Sequence, residues 1–298
     1  MVRFLQAKKW GVVGTYLVND RNTIPKVHNQ RFFQCDLGNG QRLAHLLNDL
    51  QPTHVFHFGA QSVATVSRVD PVRTFESNIM GSLNLFESVR QMKRRPVVVS
   101  ACSSAEYGNV RRSAIPVTEE EPLKPLHPYG ISKVCLDLLA REYYLDYGVP
   151  AVNVRLFNTT GPGKTNDAPS DFVRQIVRIK KGLQRQVVEV GNLTPRRAFL
   201  DVSDTVRGFY NAAMLGKRGE AYNLCAARTY RIEEVLQTLV DLAGVKVKIQ
   251  PVRRLMRPSD ERIIFGDTSK IRRDTGWRPL RSIGQTLQSM LDYWNAVL

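Results

Sequence analysis

An open α/β fold built on a parallel sheet is predicted for this 298-residue chain, and three observations predict it. Short β-branched apolar runs, such as Pro96-Val97-Val98-Val99-Ser100, read as buried parallel strands. Stretches with helical spacing, such as Leu43, Leu46, Leu47 and Leu50, alternate with those runs, which implies right-handed crossovers in one doubly wound sheet. Loops rich in glycine or hydroxyl residues follow the strands, at the carboxyl ends where ligands sit in open α/β sheets.

In chain order, Phe4 to Lys9 reads as the end of a helix and Trp10 to Val18 as a strand. Arg31 to Leu37 reads as a second strand, closed by Gly38-Asn39-Gly40, and a helix follows through Leu50. His54 to Gln61 reads as a third strand with a glycine-containing exit. The Pro96 run is the next strand and ends in Ala101-Cys102-Ser103-Ser104-Ala105-Glu106-Tyr107-Gly108. Ala151 to Asn158 is a further strand before the turn-rich loop Thr159-Thr160-Gly161-Pro162-Gly163. Asp171 to Gly182 reads as a helix, Val187 to Val190 lies in an apolar run, and an amphipathic helix through Leu287, Leu291 and Trp294 ends the chain. The length accommodates one large α/β domain with a smaller appendage, expected as residues 1–158 and 159–298, with segments of the latter returning to the sheet.

Composition narrows the function classes. A 43% hydrophobic fraction with 8% aromatics describes a globular chain. No apolar run approaches the roughly 18 residues of a membrane span, and the polar start Met1 to Lys9 is no signal peptide, so a cytoplasmic location without membrane partners is expected. Cys35, Cys102, Cys135 and Cys225 are scattered, which fits free thiols and suggests neither disulfides nor a metal site. The net charge of +16 suits an anionic partner. Its 43 basic residues form no block flanked by stacking aromatics, so a small diphosphate-bearing ligand fits better than nucleic acid.

The stretch with the most chemistry is His127-Pro128-Tyr129-Gly130-Ile131-Ser132-Lys133. Residues four apart share a helix face, so Tyr129 and Lys133 present a phenol and an ammonium to one pocket, with Pro128 starting the helix. An ammonium beside a phenol favours the phenolate, which is expected to lower the tyrosine pKa toward neutrality and make it a proton donor or acceptor.

Strand-end serines followed by Tyr107-Gly108 and then by Pro128-Tyr129-Gly130-Ile131-Ser132-Lys133 resemble the extended short-chain dehydrogenase/reductase superfamily, in its nucleotide-sugar-modifying branch. The resemblance covers nearly the whole chain and implies a Rossmann-like sheet, a smaller C-terminal substrate-binding domain and a homodimer through paired helices, one containing Tyr129. It implies Tyr129, Lys133 and Ser103 as catalytic residues, with Tyr129 and Lys133 also holding the cofactor. Asp36 and Leu37 would hold the adenine, and Phe58, Gly59 and Ala60 would form the small-residue turn under the pyrophosphate and ribose, with Asn78 near that strand. The cofactor implied is NADP or NAD, with NADP favoured; Arg21 is a partner for a 2′-phosphate, whereas Tyr16 or Leu17 stands where the family's usual arginine follows the second strand.

The family fold opens with a strand, a glycine-rich turn and a helix that holds the pyrophosphate. Gly11-Val12-Val13-Gly14 has no third glycine at the required interval and lies inside a strand pattern, so it is not that fingerprint. The expectation is therefore a Rossmann-like sheet lacking its first strand and glycine-rich turn: an incomplete version of the protein, or a sheet repaired by re-pairing or by another chain. An intact central strand drawn from residues 1–20 would overturn that expectation.

For the substrate, a nucleotide diphosphate sugar with GDP as the expected base, the resemblance implies Asn158 ahead of the Gly-Pro-Gly loop. It also implies Asn192 and Arg197 in Gly191-Asn192-Leu193-Thr194-Pro195-Arg196-Arg197-Ala198, and Arg257 and Asp260 in Arg257-Pro258-Ser259-Asp260. Ala198 replaces the family's aspartate, which is expected to loosen Arg197. A 4,6-dehydratase needs a further acid/base, for which the resemblance implies a glutamate two residues before Tyr107, where this chain has Ala105; neighbouring Glu106 points elsewhere on an extended segment unless the loop is bent. Reduction of a 4-keto-6-deoxyhexose by NAD(P)H needs only Tyr129, Lys133 and Ser103, and is the expected reaction, most similar to the reductases of GDP-4-keto-6-deoxy-D-mannose. A 4,6-dehydratase or 4-epimerase of the same superfamily is the alternative, and a catalytically silent nucleotide-sugar binder is the alternative from another class.

Overall fold

The computed structural model describes residues 1–17, 31–256 and 263–298. In chain order its elements are α1 (Val2–Ala7), β1 (Val13–Tyr16), β2 (Arg31–Gln34), α2 (Gly40–Leu50), β3 (His54–His57), α3 (Ala64–Val69), α4 (Pro71–Phe75), α5 (Gly81–Arg90), β4 (Val97–Ser103), α6 (Pro128–Tyr147) and β5 (Ala151–Leu156). They continue with β6 (Thr159–Thr160), α7 (Ala168–Lys180), β7 (Val187–Val190), β8 (Arg196–Arg197), β9 (Leu200–Asp201), α8 (Val202–Leu215), β10 (Ala221–Leu224), β11 (Tyr230–Arg231), α9 (Ile232–Ala243), β12 (Lys248–Pro251), β13 (Ile263–Ile264), α10 (Ser269–Thr275) and α11 (Ile283–Val297). The chain divides into two compact units, the first of residues 1–108, 123–154 and 209–222, the second of residues 109–122, 155–208 and 223–298.

The first unit is α/β with parallel pairing. β1 pairs with β2 and β3 with β4, both in parallel. The strand order is β10-β5-β4-β3, with β5 and β10 leaving the unit after Val154 and Tyr222. β1 and β2 form a separate ladder, so among the described residues no strand from residues 1–20 stands at the centre of the four-stranded sheet. The predicted strand over Trp10–Val18 is cut to Val13–Tyr16. Trp10 turns out of it because its indole finds aromatic neighbours instead, His54 at 5.0 Å and Tyr210 at 5.8 Å between ring centroids.

Local chemistry explains where the helices begin. Asn39 caps α2 by accepting the Arg42 N–H at 3.0 Å. Asp70 caps α4 ahead of Pro71 in the first turn, and His127 caps α6 through Nδ1, which accepts the Gly130 N–H at 3.1 Å. α6 ends at Gly148, whose φ of 64° suits the left-handed cap. The apolar faces of α2, α5 and α6 close on β4 in one core that includes Leu43, Leu47, Phe86, Val89, Val98, Leu136 and Ala140. Truncating a fully buried side chain there, such as Phe86, costs about 3–5 kcal/mol.

In the second unit α7, α9 and α11 enclose a core of Phe172, Ile176, Val188, Val190, Leu236, Leu239, Leu287 and Trp294. β12 runs parallel to β7, β6 parallel to β9, and β8 lies between β11 and β13. Asp167 starts α7 by accepting the Ser170 N–H at 2.9 Å, and Ser282 and Gln285 form a capping box at the start of α11. Among the described residues no helix is long and apolar enough to cross a membrane.

Candidate functional site

β4 delivers Ser103 at its carboxyl end, and the chain then bends through a 3-10 turn, Ser104–Glu106. α6 starts with Tyr129 in its first turn and carries Lys133 one turn later. Two glycines bring strand end and helix together. A Cβ on Gly130 would lie 2.8 Å from the Ala105 carbonyl oxygen, and one on Gly108, whose φ is +62°, would lie 1.8 Å from the Lys124 oxygen. Only glycine permits either approach.

The structure places Ser103, Tyr129 and Lys133 together in the first unit. The Tyr129 hydroxyl hydrogen-bonds the Ser103 side chain. Lys133, 4% exposed, donates from Nζ to the Ala101 carbonyl at 2.8 Å, with Nζ 5.9 Å from the Tyr129 ring centroid. The expected acidification of the phenol is corrected here. Desolvation pushes the Tyr129 pKa up to about 12, against the smaller downward pull of the Ser103 hydrogen bond. The ammonium is directed at a backbone carbonyl, so at neutral pH Tyr129 is a proton donor in waiting. Burial lowers the Lys133 pKa, and its electrostatic interaction with Cys102 and Glu106 opposes that.

The loop expected to pass beneath a cofactor is tied to this helix. Asn78 accepts the Gln61 N–H at 2.7 Å and donates from Nδ2 to the Gln61 carbonyl and to Ser132 Oγ, both at 2.9 Å. Ser132 Oγ in turn donates to the Tyr129 carbonyl at 2.8 Å. Gly59 packs over Leu37, where a Cβ would come within 2.8 Å of Leu37 Cδ1, and Asn84 holds the Leu37 carbonyl at 2.8 Å. Asp36 is exposed and accepts the Gly38 N–H at 2.9 Å. Phe58 is 46% exposed and rests edge-on against Phe209 at 4.9 Å, with Ala60 half-buried beyond it.

These residues fit a nicotinamide dinucleotide at two points: an exposed carboxylate at the end of β2, and an ammonium that commits one of its three N–H donors to a backbone carbonyl beside a protonated phenol. Gly38-Asn39-Gly40 leads from β2 into α2, and among the described residues no Gly-x-x-Gly-x-x-Gly turn lies between a strand and a helix.

Of the expected substrate residues, Asn158, Asn192 and Arg197 lie in the second unit. Asn158 Nδ2 is buried with no hydrogen-bond partner among the described residues. Asn192 turns its Oδ1 to its own loop, accepting Thr194 N–H at 3.0 Å and Thr194 Oγ at 2.9 Å. Arg197 donates to the neighbouring Arg196 carbonyl at 2.9 Å, and Ala198 is fully buried. Arg257, Asp260 and Arg21 fall outside the described residues.

Three groups at the site gave weak signals in the sequence. Ser132 stands inside the Tyr-Gly-x-Ser-Lys run, but its tie to Asn78 joins residues 54 positions apart. His57 is buried at the end of β3, where its Nε2 meets Ser82 Oγ at 2.9 Å, and burial and then the Lys133 charge depress its pKa to about 3. Glu106 is fully buried: because the loop is a 3-10 turn, its carboxylate folds back to accept the Ser103 N–H at 2.6 Å. An extended loop would have aimed it away from Ser103.

Comparison with known proteins places this geometry. The model of the GDP-mannose 4,6 dehydratase family matches residues 1–290. The GDP-6-deoxy-D-mannose reductase of Pseudomonas aeruginosa is 31% identical over 246 residues, which cover 82% of this chain and 81% of that one. The structure of RMD from Pseudomonas aeruginosa complexed with NADPH is similar with a TM-score of 0.85 at 28% identity, over 96% of this chain and 99% of that chain. UDP-glucose 4-epimerase from Thermus thermophilus in complex with NAD is similar with a TM-score of 0.87 at 26% identity, over 100% and 95%.

Proposed function

This chain belongs to the GDP-mannose 4,6-dehydratase family, and we propose that within it the enzyme reduces the C4 ketone of a nucleotide-linked 4-keto-6-deoxyhexose. An NAD(P)-dependent, oxidoreductase-type enzyme acting on a nucleotide sugar is the class its relatives share. The narrower reading rests on one observation above all: Tyr129 is hydrogen-bonded to Ser103 and kept protonated by desolvation. Reduction needs a proton donor at the carbonyl oxygen, whereas a dehydratase or epimerase cycle opens with oxidation and needs a base. Ala105, which cannot move a proton, and Glu106, which is turned onto Ser103, support the same choice.

A bound nicotinamide cofactor supplies the hydride. The chain's own residues do the rest. Ser103 Oγ hydrogen-bonds the ketone oxygen and orients it toward Tyr129. The Tyr129 hydroxyl proton moves to that oxygen as negative charge develops there, which completes the alcohol. Lys133 stabilises the tyrosinate left behind and would be the residue that holds the ribose of a bound nicotinamide cofactor. We assign this chemistry to residues 1–158 and nucleotide-sugar recognition mainly to residues 159–298. Asn158, whose buried Nδ2 has no hydrogen-bond partner among the described residues, is the first donor for the substrate, with Asn192 and Arg197 as further candidates; Arg257 and Asp260 are assigned to the nucleotide on the resemblance alone.

GDP as the nucleotide and NADPH as the favoured reductant follow the similarity to the Pseudomonas aeruginosa reductase and the NADPH-bound structure. A cytoplasmic homodimer accompanies this reading. Ile131, Leu138 and Leu145, at seven-residue spacing on α6, are 42%, 56% and 58% exposed, an apolar stripe suited to a second α6.

The test follows NADPH consumption with GDP-4-keto-6-deoxymannose. Turnover is expected in the wild type and is expected to fall by about 10²–10⁴-fold in Tyr129→Phe, with GDP binding nearly unchanged. Full turnover by Tyr129→Phe, or a 4-keto product formed from GDP-mannose, would refute the proposal; binding of GDP without NADPH would identify a silent binder.

A further inference from the structure

Beneath the catalytic group lies a buried carboxylate that the proposed chemistry does not use. Glu106 is 0% exposed. Its Oε1 accepts the Ser103 N–H at 2.6 Å, while Ser103 Oγ accepts the Ala105 N–H at 3.2 Å, so the two side chains close a reciprocal capping box around the 3-10 turn. The turn thereby sets the direction of Ser103. The same carboxylate lies within 4.8 Å of Cys102 Sγ and of an Asp137 carboxylate oxygen, also buried.

A buried carboxylate at full charge is costly unless a positive charge or hydrogen bonds stabilise it. The available cation is Lys133, which α6 places one turn before Asp137 and whose Nζ anchors on Ala101, next to Cys102 in β4. We propose that Glu106 is a positioning residue: it holds the Ser103 turn by accepting its N–H, and its charge keeps the Lys133 ammonium and the Tyr129 hydroxyl in the forms that carbonyl reduction requires. The inference rests on the reductase reading for its kinetic consequence but not for its electrostatic one.

The charged and titratable groups facing this pocket are Cys102 from β4, Tyr129, Lys133 and Asp137 from α6, and His57 from β3, which feels the Lys133 charge. The Glu106 charge raises the proton affinity of both Tyr129 and Lys133. Removing it lowers both. Reduction needs both protonated, so the alkaline limb of the kcat profile must move to lower pH.

Glu106→Gln separates the two roles, because its amide oxygen can still accept the Ser103 N–H while the charge is gone. The expected result is a folded protein whose alkaline kcat limb lies about 1 pH unit below that of the wild type. Carbon NMR of lysines labelled beside Nζ, with Lys133 assigned by Lys133→Met, is expected to show the same displacement without any substrate. Superimposed limbs and superimposed Lys133 titrations would overturn the proposal. A displaced Lys133 titration in a protein that reduces no 4-keto sugar would leave it standing and remove the reductase reading instead. Should Glu106→Gln fail to fold, Glu106→Asp retains the charge and must keep the wild-type limb and Lys133 titration; displacement of either in that variant also overturns the proposal.

Discussion

The expected site residues of the two units are bonded differently. In the first, the groups around Tyr129 bond one another: Gln61 to Asn78, Asn78 to Ser132, Ser132 to the Tyr129 carbonyl, and Glu106 to Ser103. In the second, Asn192 and Arg197 bond their own loops and Asn158 keeps a buried Nδ2 without a hydrogen-bond partner among the described residues. Proton transfer tolerates little misplacement, so its groups are locked before a ligand arrives. Under the proposed reading, recognition leaves a donor whose hydrogen bond the substrate completes. The difference teaches where rate and where affinity should respond to mutation.

The sharpest way to break this contrast is Lys133→Met. Turnover is expected to fall by about 10²–10⁴-fold, as for loss of a group acting on proton transfer, measured at saturating substrate. A change confined to KM would show that the first unit serves binding instead. Asn158→Ala is the converse experiment. Loss of one buried donor to a substrate oxygen predicts a KM about tenfold higher, from roughly 1.5 kcal/mol, with kcat nearly intact, measured over a substrate series. An equal fall in kcat would blur the distinction.

A third experiment addresses the lock itself. His57 has its pKa depressed from 6.5 to about 3 in the folded protein, so it stays neutral where the unfolded chain takes up a proton. Stability from this group is therefore full above pH 6.5 and is lost as pH falls toward 3, with a slope approaching about 1.4 kcal/mol per pH unit. Urea unfolding across that range is expected to show the slope in the wild type and its reduction in His57→Gln. An unchanged slope would place the acid sensitivity elsewhere.

Much of the site was legible because it depends on short spacings. Tyr129 and Lys133 share a helix face by the 3.6-residue period, and Ser103 ends a β-branched run whose burial follows from its composition. The Asn78–Ser132 tie was not legible, since two ordinary polar residues 54 positions apart carry no local pattern. The direction of Glu106 was left open for a related reason: it depends on whether three residues after a strand stay extended or curl, and the capping box decides that.

The protonation state of Tyr129 shows most clearly what each level contributes. By itself the sequence determined that a phenol and an ammonium share one helix face, because the helix period is a local rule; the place of Ser103 beside them was implied only by the family resemblance. Only the tertiary structure decided that the phenol is desolvated while the ammonium is directed to the Ala101 carbonyl, which raises the tyrosine pKa to about 12 instead of lowering it. Burial and charge separation depend on which distant segments close over a side chain, and spacing along the chain carries no record of that.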